Sequence, residues 1–217
     1  RFTFGIPGTH NFELYDALEK SKVRPVLVCS EQGGAFMADG LARSSGAAGV
    51  LNLVPGAGLS HALSGIAEAY MDCVPMVVLC CGIRNDTGHA FQLHAVDQLA
   101  MAAPVLKAAF KAASPAEVYA LLRRAFHVAR SGCPGPVAVE VPANFYLLTD
   151  ESDSDESAWT PPEGGIAAPR PEAVDRAVEL LAAAKRPSIY AGFGCAGAAD
   201  ALKRLAEKLG APVATTI

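Results

Sequence analysis

Short apolar runs alternate along this chain with longer stretches whose apolar residues recur every three or four positions. The runs predict strands over residues 2–6, 26–29, 50–54, 75–81, 136–141 and 187–191, with a further strand opening at 212. The run at 75–81 is almost continuously apolar, as in a parallel strand covered on both faces. The run beginning at Pro25 reads in the same way as a buried strand. Between the runs, the helical period predicts helices over 11–19, 32–44, 59–70, 96–102, 115–130, 172–184 and 198–209. Ser114 is the expected N-cap of the fifth, with Pro115 in its first turn. This alternation predicts an α/β fold: a doubly wound, mostly parallel sheet flanked by helices.

The pattern breaks after residue 148. Residues 150–157 are acidic and lack apolar side chains, and Trp159-Thr160-Pro161-Pro162 and Gly164-Gly165 continue the irregularity. Residues 149–170 therefore read as a solvated linker, with Trp159 as a possible anchor on a neighbouring domain. Residues 171–217 read as the first part of a second, Rossmann-like α/β domain. One strand–helix–strand unit cannot cover both faces of a sheet. A longer polypeptide is expected, and the start at Arg1 without Met points the same way.

Composition narrows the function classes. The net charge is −4 with no basic block, so nucleic acid is not an expected partner. The apolar runs are strand-sized, so no membrane span is expected. The six cysteines, Cys29, Cys73, Cys80, Cys81, Cys133 and Cys195, show no CxxC and no paired spacing. That fits reduced thiols in a cytoplasmic protein, without a disulfide framework or a zinc site, and Cys80 and Cys81 read as core. The histidines have no metal-ligand spacing, so no metal ligand is expected from this chain.

Glu31 falls at a strand-to-helix junction, which in parallel α/β sheets is the ligand-binding edge. Gly33 and Gly34 follow, where backbone can approach a ligand. By residue type alone Glu31 reads first as a helix-terminal carboxylate, since negative charge is favoured there. Gly56-Ala57-Gly58-Leu59-Ser60-His61 opens a helix but is neither a P-loop nor a nucleophile elbow. His10, His89 and His94 fall in loops near the same edge, and His is the side chain most readily tuned for proton transfer. Arg84 and Asp86 could bind a carboxylate substrate or structure their loop. Gly192, Gly194 and Gly197 form a literal GxGxxG, but the next strand ends in Thr215-Thr216, where an acidic residue should meet the ribose.

Residues 30–46, SEQGGAFMADGLARSSG, resemble the signature of the thiamine-diphosphate (ThDP) enzymes related to acetolactate synthase. Supporting segments stand in the family's order: Phe4-Gly5-Ile6-Pro7-Gly8, then residues 55–75, Ala90-Phe91-Gln92, and residues 131–137. The resemblance covers essentially the whole chain. It implies a pyrimidine-binding domain over 1–148, followed by the start of the family's central domain. Some members bind FAD in that central domain and others leave it empty; FAD is not the favoured occupant here. The resemblance makes Glu31 the catalytic carboxylate and places Gly56, Gly58 and His61 beside the cofactor's aminopyrimidine. It places Thr9, His10, Phe91 and Gln92 by the substrate. The chain departs from the family's GPGxxN at Ala57 and His61, and residues 93–97 depart from its FQExD pattern.

The resemblance further implies that Glu31 shares a proton with N1′ of the aminopyrimidine, favouring formation of the thiazolium ylide. The ylide attacks a 2-keto acid, carbon dioxide leaves, and the ThDP enamine is protonated or added to a second carbonyl. The expected function is therefore part of a 2-keto-acid carboligase or decarboxylase, with a 2-keto acid or an acyl-CoA as substrate. The family's diphosphate and Mg²⁺ motif, GDG…N, belongs to a C-terminal domain and has no counterpart in this sequence, so the 217 residues alone are expected to be inactive. A homodimer or homotetramer is implied. The competing reading is a cofactor-free homologue acting as an assembly or regulatory module.

Overall fold

A computed structural model describes residues 1–147, 159–162 and 168–216. The chain divides into two compact units, residues 1–163 and 164–217. In the first, strands β1 (Phe2–Gly5), β2 (Arg24–Leu27), β3 (Gly49–Leu53), β4 (Met76–Gly82), β5 (Ala108–Lys111) and β6 (Pro136–Pro142) form one sheet. Its order is β2-β1-β3-β4-β6-β5, and every neighbouring pair is parallel. Helices α1 (Phe12–Glu19), α2 (Glu31–Ser45), α3 (Ala57–Met71), α4 (Gln98–Ala102), α5 (Glu117–Arg130) and α6 (Ala143–Tyr146) make the connections. The α/β fold class expected from the alternation is the one observed.

The two faces of the sheet are covered separately. Leu51, Leu53, Met76, Val78 and Cys80 pack with Ala35, Ala38, Ala62, Ile66 and Ala69 of α2 and α3. The opposite parity, Val77, Leu79, Val137, Val139 and Val141, packs with Ala125 and Ala129 of α5. Alternate residues of a strand point to opposite faces, which is why β4 is apolar throughout and β6 is apolar except at Glu140. Each fully buried Val, Leu or Ile contributes about 1.5–3 kcal/mol, so stability is concentrated in β3, β4 and β6.

Three local expectations are corrected. First, β2 is an edge strand with half-buried Pro25 and Val26 and exposed Leu27, rather than a buried one. Pro25 has no N–H to donate, which an edge tolerates. Second, α5 begins at Glu117, and Ser114 supplies only its backbone carbonyl, to the Glu117 N–H. The first-turn work falls to the Glu117 carboxylate, which accepts from the Ala113 N–H at 3.0 Å. Third, Trp159 stacks on His127 of α5, ring centroids 5.3 Å apart, and its carbonyl accepts from Arg123 Nε. It therefore rests on the first unit rather than on a neighbouring domain. The acidic run 150–157 and Gly164-Gly165 lie outside the described residues. Strand β5 was not foreseen.

The second unit contains α7 (Pro171–Ala182), β7 (Ile189–Ala191), a 3-10 segment (Phe193–Ala198), α8 (Ala199–Leu209) and β8 (Val213–Thr215). The two strands are parallel. In a dinucleotide fingerprint the third glycine allows close helix–strand packing. Here a Cβ on Gly194 or Gly197 would meet nothing within 4 Å.

Candidate active site

Because the sheet is parallel, its strands all end on one edge, and the strand order changes direction between β1 and β3. Such a switch point opens a crevice beyond the strand ends. The connections after β1, β2 and β3 border it and carry most of the candidate residues.

Glu31 is the first residue of α2. Ser30 caps the helix by accepting from the Gly33 N–H at 3.2 Å, and the negative charge sits in the first turn, where the helix favours it. Arg43 in the last turn bonds Asp39 and Asp72, and Gly46 ends the helix in the left-handed conformation. Gly34 serves packing: a Cβ there would stand 3.1 Å from Val28 and 3.3 Å from Leu51. The helix start is thus pressed onto the strand ends, and the glycine's close approach is to protein. The Glu31 side chain is only 13% exposed. Its one described polar contact is long, Oε2 to His61 Nδ1 at 3.4 Å, from an imidazole that is mostly in solvent.

The Pro7-Gly8 turn is fixed from inside. The Gly8 N–H donates to Asn11 Oδ1 at 2.8 Å, and Asn11 is buried. Thr9 Oγ1 lies 3.3 Å from His10 Nδ1. The His10 carbonyl accepts from the buried Cys81 thiol, tying this loop to β4. The His10 and His94 rings meet edge to face at 5.7 Å. Partial burial and then the neighbouring His94 hold His10 below its ordinary pKa, so it is neutral and able to accept a proton near pH 7. His89 is exposed, and among the described residues its backbone engages Thr87.

Gly56 adopts φ 62°, ψ −91°, and a Cβ there would stand 2.9 Å from the His94 carbonyl. Gly58 is required by packing, since a Cβ would come within 2.9 Å of Val54. Phe91 is 94% exposed, and Gln92 donates to the Arg84 carbonyl at 2.9 Å. Arg84 makes two bonds to Asp86, 2.9 and 2.8 Å, so of its two readings the structure shows the loop-forming one. Ser60 donates to the Ala57 carbonyl of its own helix. Among the described residues, no group of three or more His, Cys, Asp or Glu side chains gathers around a metal-sized space.

Three residues here were not singled out from the sequence. Tyr15 has a buried hydroxyl with no partner among the described residues; burial, and then the Glu31 carboxylate, pushes it up to about 12. Gln98 and Glu140 are buried together behind the Gly56 loop. Glu140 did leave a signal, as the one charge inside the apolar run Pro136-Val137-Ala138-Val139-Glu140-Val141. A charge in a buried strand requires a partner.

The N-terminal TPP binding domain of thiamine pyrophosphate enzymes matches residues 1–101, and the central domain of the same enzymes matches residues 174–217. A probable 2-ketoarginine decarboxylase of Pseudomonas aeruginosa is 38% identical over 222 residues, covering 99% of this chain and 38% of the relative. Acetolactate synthase isozyme 3 large subunit of Escherichia coli is 35% identical over 224 residues, with the same two coverages. An acetolactate synthase of Arthrospira platensis is 30% identical over 226 residues, again covering 99% and 38%. The chain thus spans about 38% of the length of these curated relatives. No described helix is long and apolar enough to cross a membrane. The chain belongs to the thiamine pyrophosphate enzymes, of the acetolactate-synthase-like kind.

Proposed function

We propose that this chain is the pyrimidine-binding part of a ThDP-dependent 2-keto-acid decarboxylase or carboligase. The observation that carries the reading is Glu31: a mostly buried carboxyl held at the switch-point crevice, whose only described polar partner is a distant, exposed imidazole. A buried carboxyl without strong partners is costly, and a ligand able to share a proton with it relieves that cost. The Tyr15 hydroxyl, also buried without a partner among the described residues, is a second unsatisfied polar group beside Glu31.

When bound, ThDP supplies the carbanion equivalent and the electron sink needed to break the bond between a carboxylate and its carbonyl carbon. The chain's own residues do the positioning. Glu31 holds a proton at N1′ of the aminopyrimidine, and Gly56, Gly58 and His61 border that ring. Thr9, His10, Phe91 and Gln92 face the substrate. Neutral His10 can take or return a proton at the reacting carbon or its oxygen. Mg²⁺ and the diphosphate would be held by a domain beyond these residues, in a cytoplasmic assembly of two or more copies. The enzyme names of the relatives do not favour a cofactor-free assembly module.

The test uses the full-length protein with ThDP and Mg²⁺. Carbon dioxide release is measured from a panel of 2-keto acids that includes pyruvate and 2-ketoarginine, with products identified. Release from one acid, with an aldehyde or a hydroxyketo acid as product, is expected. ThDP binding without release from any 2-keto acid or acyl-CoA donor would overturn the assigned chemistry.

A further inference from the structure

On the amino edge of the sheet, opposite the crevice, two cysteines 60 residues apart meet. Cys73 lies in the connection from α3 to β4 and Cys133 in the connection from α5 to β6, and their sulfurs are 3.1 Å apart. Both are free and exposed. Each is mounted on a fixed turn. The Cys73 N–H bonds the Tyr70 carbonyl and the Val74 N–H bonds the Ala69 carbonyl, closing the end of α3. That places Cys73 at φ 56°, a left-handed position where Gly is the usual residue. On the other side, Lys107 Nζ donates to the carbonyls of Val128 and Ser131, and the Gly135 N–H bonds the Ala129 carbonyl. A surface recess lined by Tyr70, Met71, Leu106 and Lys107 opens onto both thiols.

We propose that Cys73 and Cys133 form a reversible dithiol site that closes into a disulfide when it meets a low-molecular-weight disulfide such as oxidised glutathione. A disulfide needs about 2.05 Å between sulfurs, so the pair must close by only about 1 Å. One thiolate attacks a glutathione sulfur and expels a glutathione thiolate. The second cysteine loses its proton to solvent, attacks the protein-bound sulfur and expels the other. Two protein thiols are oxidised, and one glutathione disulfide is reduced to two thiols. The S–H···S bond with Cys133, and then desolvation, hold the Cys73 thiol above its usual range, so the attack starts from a minor thiolate population. The bond would staple the amino ends of β4 and β6, the strands at the centre of the core.

The experiment equilibrates the full-length protein in glutathione buffers of rising oxidation, blocks free thiols, and maps peptides without reduction. A peptide pair joined through Cys73 and Cys133, lost on adding dithiothreitol, is expected. Cys133→Ser should abolish it and leave glutathione on Cys73, while Cys195→Ser should retain it. Amides at 131–135 should exchange more slowly in the oxidised form. Glutathione accumulating on Cys73 or Cys133 of the unsubstituted protein, a bond between copies through either cysteine, or no reaction at either thiol would each overturn the proposal. Unchanged exchange in the linked protein would overturn the stapling.

Discussion

Gln98 reaches 42 residues back along the chain to hold Gly56: its Oε1 accepts the Gly56 N–H at 3.0 Å. The same amide donates from Nε2 to the Cys81 carbonyl and to Glu140 Oε2, both at 2.9 Å. Lys111 completes the Glu140 carboxylate at 2.8 Å. One buried side chain thus joins the crevice loop, β4 and β6. Gln98→Leu keeps the volume but leaves an amide N–H, a carbonyl and a carboxylate oxygen without partners. Each orphaned group costs about 1–3 kcal/mol. The expected loss is at the upper end of that range or beyond, with weaker ThDP binding because Gly56 is no longer held. Urea unfolding and cofactor titration of the full-length protein check both. A loss confined to stability, with unchanged cofactor affinity, would separate Gln98 from the site.

Glu31→Gln is expected to lower kcat by about 100-fold or more while the protein still folds, as for loss of a positioned acid–base group. Stability should change by no more than about 1 kcal/mol in either direction, since the change removes a favourable charge from the first turn of α2 but also the cost of a mostly buried carboxylate. Turnover and a denaturation curve measured on the same preparation separate the two effects. Near-normal turnover would remove Glu31 from the chemistry.

Most of this fold could be read in advance because β3, β4 and β6 are buried on both faces and so carry mostly apolar runs, interrupted only by Asn52 in β3 and Glu140 in β6. Strand β5 could not. Ala108-Ala109-Phe110-Lys111 has no β-branched residue, and it becomes a strand only because β6 offers an open edge. The edge position of β2 depends on sheet order, which periodicity does not report. The place of Glu31 at a strand-to-helix junction was legible in the sequence, whereas the place of Gln98 was not. Its role exists only once Gly56, Cys81 and Glu140 are brought together across long separations. The same holds for Cys73 and Cys133, whose spacing in sequence carries no sign of a pair.

Two glycines one helix apart should respond with opposite signs. A Cβ on Gly65 would stand 2.6 Å from the Ala35 Cβ and 3.1 Å from the Phe36 nitrogen, where α3 crosses α2. Gly65→Ala must push the helices apart and is expected to cost about 1–3 kcal/mol. Gly40 lies in α2 and is exposed, with nothing within 4 Å of its Cβ position. Gly40→Ala should stabilise by up to about 1 kcal/mol through helix propensity alone. Chemical denaturation of both variants beside the parent gives the comparison. A neutral Gly65→Ala would mean that α2 and α3 do not cross this closely.

Tyr15 should make stability fall at high pH. Burial, and then the Glu31 carboxylate, push its hydroxyl up to about 12, whereas in the unfolded chain it ionises near 10, as free tyrosine does. Between those values the unfolded state has released the proton and the folded state still binds it. Raising the pH through that window therefore favours unfolding, and the loss is complete above about 12. Tyr15→Phe removes the titrating group together with a buried hydroxyl that has no partner. The variant should match the parent or exceed it slightly at pH 8, because no hydrogen bond is lost. It should then pull ahead as the pH rises from 10 to 12. Urea midpoints of the two proteins across that range test this, with the difference between the curves as the readout. Parallel curves would show that the Tyr15 hydroxyl reaches solvent.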